Sequence, residues 1–70
     1  MQYLVVIERG SSSYGAYVPD LPGCVAVGES QAEVETLIRE AIEIHIEGLR
    51  EHGEAIPEST STSQLVTIDA

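Results

Sequence analysis

The sequence predicts one α+β domain over residues 1–70, ordered β-β-β-α-β, with a single helix packed on a mixed four-stranded sheet. Three observations carry that expectation. Short β-branched or alternating runs at residues 2–8, 14–18 and 24–27 are separated by turn-forming residues. A long stretch, residues 31–52, repeats its apolar positions at helical spacing behind a capping serine. A last β-branched run at residues 64–68 follows a polar connection.

The first run, QYLVVIE, is apolar on both alternating sets, Tyr3, Val5 and Ile7 against Leu4 and Val6, as suits a strand covered on two faces. Arg9 to Ser13, with one glycine and three serines, reads as a hairpin loop. Tyr14, Ala16 and Val18 alternate into a half-buried second strand, and Pro19 stops it by removing a backbone donor. In Leu21-Pro22-Gly23-Cys24, proline sits where φ near −65° is needed and glycine where φ is positive, the signature of a type II turn. The chain reverses there into the third strand.

Ser30 and Glu33 form an S-x-x-E capping box, and Gly53 stands ready as a left-handed C-terminal cap. Within the helix, Val34, Leu37, Ile38, Ala41, Ile42, His45 and Leu49 share one sector, with Ile44 and Ile46 on its margins. Glu33, Glu40, Glu43, Glu47 and Glu51 occupy the opposite side without intervening lysines, so they repel instead of pairing. Residues 54–63 are a Ser/Thr-rich connection. A right-handed crossover then lays residues 64–68 parallel to the first strand, giving strand order 3-2-1-4. One helix covers one sheet face only, which predicts a homodimer through the other face or a strand edge.

Twelve acids against three bases give a formal charge of −9, which repels phosphate backbones and attracts basic protein surfaces. Nucleic acid is thereby excluded as the expected direct ligand. No apolar run reaches the roughly 20 residues that cross a bilayer, Met1 leads straight into a strand without a basic leader, and one cysteine forms no internal disulfide. A cytoplasmic protein is expected.

Candidate chemistry is sparse, and no catalytic residue, metal site or cofactor is expected. If the first and last strands are neighbours, Glu8 and Asp69 emerge at one edge, which keeps a metal-dependent nuclease as a remote third reading. The blander reading makes them solvated strand ends. His45 reads as a hydrogen-bonded core residue, His52 as a partner of the helix dipole, and Cys24 as a small strand residue without a local base. Asp20 either bonds turn backbone locally or, with Leu21, presents a knob to a partner. Tyr14 and Tyr17 point to opposite faces, so one of them is available to an interface.

The run from Tyr14 through Pro19-Asp20-Leu21-Pro22-Gly23-Cys24 to Gly28-Glu29-Ser30, with the acid-rich helix and Gly53 and Ile56-Pro57 after it, resembles the HicB family of antitoxins. That resemblance covers about residues 3 to 57 and implies a trimmed ribonuclease H-like fold. It also implies a partner, a small basic HicA-type toxin that cleaves mRNA and is neutralised by masking of its RNA-facing surface. Glu40, Glu43 and Glu47 are the residues expected to steer such a partner, with Tyr17, Asp20 and Leu21 as contacts. Many HicB proteins continue into a DNA-binding segment, whereas this chain is expected to have no C-terminal DNA-binding domain. The alternative is an orphan dimeric interaction module with the same fold and no toxin.

Overall fold

A computed structural model describes residues 1–69 as three antiparallel strands followed by one long helix. The strands are β1 (Val6–Arg9), β2 (Tyr14–Tyr17) and β3 (Val25–Gly28), and the helix is α1 (Gln31–Glu51). The sheet order is β1-β2-β3, with β2 in the centre. Val6, Tyr17 and Val25 form one cross-strand row, and Ile7, Ala16 and Ala26 form the next, on the opposite face.

The turn between β2 and β3 is built as its residues dictate. Leu21 N–H donates to Val18 O at 3.0 Å, and Cys24 N–H donates to Leu21 O at 3.1 Å, closing two successive tight turns. Gly23 has φ of 84°, the left-handed value that the type II turn requires. Val18 N–H donates to Cys24 O and seals the base of the loop. Leu21 is thus folded inward and fully buried. It lies in the core with Ala16, Val18, Cys24, Val34, Ile38 and Ile46, which contains no polar side chain among the described residues.

Ser30 caps the helix with extended backbone, its Oγ accepting from Glu33 N–H at 3.1 Å. The Glu33 carboxylate reaches back as a capping box should, but to Glu29 N–H, one residue before the cap. At the other end, Gly53 at φ of 66° permits Gly53 N–H to reach Arg50 O and Glu54 N–H to reach Leu49 O, a Schellman closure. His52 Nδ1 lies 2.8 Å from Gly48 O, a carbonyl that also accepts the His52 backbone N–H at 3.1 Å. His45 is half-buried at the rim of the core, not inside it.

Two expectations are corrected. The first strand begins at Val6, and residues 2–5 have no sheet partner. β2 cannot extend beside them because Pro19 lacks a donor and Asp20 already turns away. The fourth strand at residues 64–68 does not form in this chain, so the sheet is three-stranded and wholly antiparallel. The parallel strand that a ribonuclease H-like arrangement needs is not paired with β1. Leu65, Val66 and Ile68 are exposed. Ordering such a segment costs roughly 1–2 kcal/mol per residue, and local alternation says nothing about whether a distant edge repays it.

Candidate functional site

The helix lies mainly over β3 and β2 and touches β1 least. Its inward side meets the row of Ile7, Ala16 and Ala26, with Tyr3, Val5 and Tyr14 on the same side. Two surfaces remain that carry distinctive chemistry: the outward side of α1 and the uncovered face of the sheet.

On α1, at about 100° per residue, Glu40, Glu43 and Glu47 point away from the sheet, and all three are exposed. Ile44 stands among them, one turn from both Glu40 and Glu47. It is 69% exposed, whereas Ile46, two residues on, is 6% exposed. Sequence periodicity put both isoleucines on the margin of the apolar sector. The structure separates them because they stand on nearly opposite sides of the helix: Ile46 faces the side that meets Tyr3 and Val5, and Ile44 faces outward. An apolar side chain ringed by carboxylates is a candidate contact feature that the sequence pattern alone did not single out. Its signal was the placement of Ile44 between acids at i−4, i−1 and i+3.

The uncovered sheet face presents Tyr17, Val25 and Val27 at 41%, 63% and 68% exposure, with Val6 beside Tyr17 in the same row. Tyr14 packs against the core and Tyr17 does not, as alternation requires. Because helix and sheet face lie on opposite sides of the layer, Tyr17 and the glutamates of α1 belong to two different surfaces.

Asp20 and Leu21 belong to neither surface. Leu21 is buried, so its side chain is core and cannot form part of an exposed knob. Asp20 acts as a clamp on a segment 40 residues away. Its Oδ2 accepts from the backbone N–H groups of Thr60 at 3.1 Å and Ser61 at 3.0 Å, and its Oδ1 from their hydroxyls at 3.2 and 2.8 Å. The Ser61 backbone bond is the largest influence holding the Asp20 carboxyl below its ordinary pKa, opposed by partial desolvation and reinforced by the other three bonds. Upstream of that clamp, Tyr3 OH donates to Pro57 O and pins the connection across the end of the sheet.

Glu8 and Asp69 are not brought to one edge, since the strand that was to carry Asp69 is unpaired. Among the described residues no three His, Cys, Asp or Glu side chains are gathered to hold a metal ion. Burial pushes the Cys24 thiol up, the opposite of what activates a nucleophile. No helix of the described residues is long and apolar enough to cross a membrane.

A small α+β scaffold whose exposed chemistry is one acidic helix face and one apolar sheet face is built like a protein-docking domain. The chain belongs to the HicB-like antitoxin family of bacterial toxin–antitoxin systems, whose family model matches residues 3–69. It is similar to a UPF0150 protein of Thermoplasma acidophilum, 39% identical over 71 residues and covering 100% of both chains. A 14.9 kDa protein of Haemophilus phage HP1 is 38% identical over 66 residues, which cover 94% of this chain and 50% of the phage protein. A UPF0150 protein of Helicobacter pylori is 46% identical over 41 residues, or 59% of this chain and 57% of that one. This chain therefore spans about half the length of the phage relative. Among solved structures, a chain of the HicA3 and HicB3 toxin–antitoxin complex matches with a TM-score of 0.72 at 28% identity, over 86% of this chain and 70% of that one.

Proposed function

We propose that this chain is a non-enzymatic antitoxin domain that captures a small basic HicA-type toxin and covers the surface with which the toxin meets RNA. The observation that carries this reading is the outward face of α1, where Glu40, Glu43 and Glu47 surround the exposed Ile44. The carboxylates speed encounter with a basic surface, and a desolvated isoleucine at the centre slows release. Membership of the antitoxin family and likeness to a chain of a toxin–antitoxin complex support the same partner class. A partner that cleaves mRNA places this activity in the cytoplasm.

Co-expression with a HicA-type toxin, followed by co-purification and an RNA-cleavage assay, tests the reading. Stoichiometric protection of RNA, with association slowed by salt, is the expected result. Reversing Glu40, Glu43 and Glu47 to lysine should slow association about 10- to 100-fold. Unchanged capture by that variant would remove the helix face from the interface.

A second reading, a dimeric interaction module without a toxin, is favoured by a different observation. The apolar row through Val6, Tyr17 and Val25 is uncovered, and a homodimer through that face would remove it from water. Dimerisation without any toxin affinity would select this alternative.

A further inference from the structure

We infer that residues 64–68 form an exchanged strand, docking on the β1 edge of a second copy of this chain and filling the groove between that edge and α1. This goes beyond toxin capture and does not depend on it.

Two unsatisfied features of one chain complement each other. The first is an open edge with a groove of about 800 Å³ beside it, floored by Tyr3, Val5, Ile38, Ile42 and Ile46. It exists because α1 packs mainly over β3 and β2 and touches β1 least, so the β1 side of the helix is thinly covered. Residues 2–5 offer backbone donors and acceptors there with no sheet partner. The second feature is the segment Gln64-Leu65-Val66-Thr67-Ile68, β-branched at three of five positions, with Leu65, Val66 and Ile68 in solvent. Added as a strand, it sends alternate side chains, Val66 and Ile68, toward Ile42 and Ile46.

The occupant is a second copy because of where this chain's own segment goes. Asp20 fixes Thr60 and Ser61 at the turn after the central strand, by four hydrogen bonds. Beyond them the chain leaves the body. The molecule is 49 Å long with a radius of gyration of 13.9 Å, against about 31 Å for a helix of this length and about 11 Å for a compact chain of this size. Seven residues from Ser61 to Ile68 reach about 23 Å, enough to cross a two-fold axis. The exchange is then reciprocal, each copy filling the other's groove.

Charge agrees with this assignment. Copies carrying −9 each repel, yet residues 59–68 are uncharged, so the contact is made by the neutral part of an acidic chain. The groove is bordered by Arg39 and Arg50 together with Glu35, Glu43 and Glu47, so a neutral arm enters it without adding charge to a rim that already carries both signs.

The test uses the full chain without toxin. Light scattering should give a dimer, and Val66→Asp combined with Ile68→Asp should weaken it at least roughly tenfold while the far-ultraviolet helix signal is kept. A 1:1 mixture of carbon-13-labelled and unlabelled chains should show isotope-filtered contacts from the Val66 and Ile68 methyls to Tyr3 and Ile42 of the other copy. The same contacts found only within one chain would mean that the arm folds back on its own groove and would overturn the proposal. So would a monomeric wild-type chain, or a double variant that dimerises unchanged. RNA protection by the monomeric variant tests the toxin reading separately.

Discussion

Leu21 and Leu65 are the same residue in opposite circumstances: one is fully buried in a seven-residue turn, the other is wholly in solvent on a β-branched arm. Sequence preference favours Leu65, which sits in a run that reads as strand, over Leu21, which sits between two prolines. The difference teaches that burial in so small a domain follows from closure. The turn from Val18 to Cys24 closes on itself through hydrogen bonds spanning only a few residues, and so its leucine is carried inward at little entropic cost. The arm has to find an edge more than fifty residues away or on another molecule.

The comparison is broken most directly by truncating each leucine. Leu21→Ala should cost about 2–5 kcal/mol, a large share of the roughly 4–10 kcal/mol that a domain of this size possesses. Leu65→Ala should stay within about 0.5 kcal/mol in dilute monomer. Urea titrations of both variants measure this, and equal losses would mean that the arm is packed against its own body. The isoleucine pair sharpens the same contrast inside one helix. Ile46→Ala should destabilise by about 2 kcal/mol or more, and Ile44→Ala should leave the melting temperature in place while accelerating toxin release.

Removing the helix cap with Ser30→Ala should cost about 1 kcal/mol, read as a lower denaturation midpoint with an unchanged m-value. The smallest expected effect belongs to the clamp. Since the folded pKa of Asp20 lies below its ordinary value of 3.8, the clamp contributes stability above that value and loses it as pH falls through the lower folded one. Amide hydrogen exchange at Thr60 and Ser61 should therefore accelerate in that acid window. In Asp20→Asn, that acid-dependent acceleration should vanish; if it persisted, another carboxyl would have to be responsible.

Much of the body was legible because its determinants are local. The type II turn needs only Pro22 and Gly23, the helix start only Ser30 and Glu33, and its end only Gly53. The opposed faces of Tyr14 and Tyr17 follow from strand alternation alone. The candidate site was legible in part: the acidic stripe is a periodicity, but the exposure of Ile44 depends on which side of α1 the sheet covers. Asp20 was read as a turn former or a contact residue, since no local pattern announces hydrogen bonds to Thr60 and Ser61. Leu21 looked like a surface knob because hydropathy does not record the direction in which a turn folds.

By itself the sequence determined three antiparallel strands, their turn chemistry, a capped amphipathic helix and a strongly acidic surface. These follow from dihedral preference, hydrogen bonding within a few residues, and periodicity. Only the tertiary structure decided which apolar set the helix covers, that Ile46 is core while Ile44 is surface, and that the final β-branched run stands free of its own sheet. Those outcomes depend on the tilt of one element over another and on pairing between distant segments. The free energies involved are differences between burial gained and chain entropy lost, and no local stretch of residues encodes them.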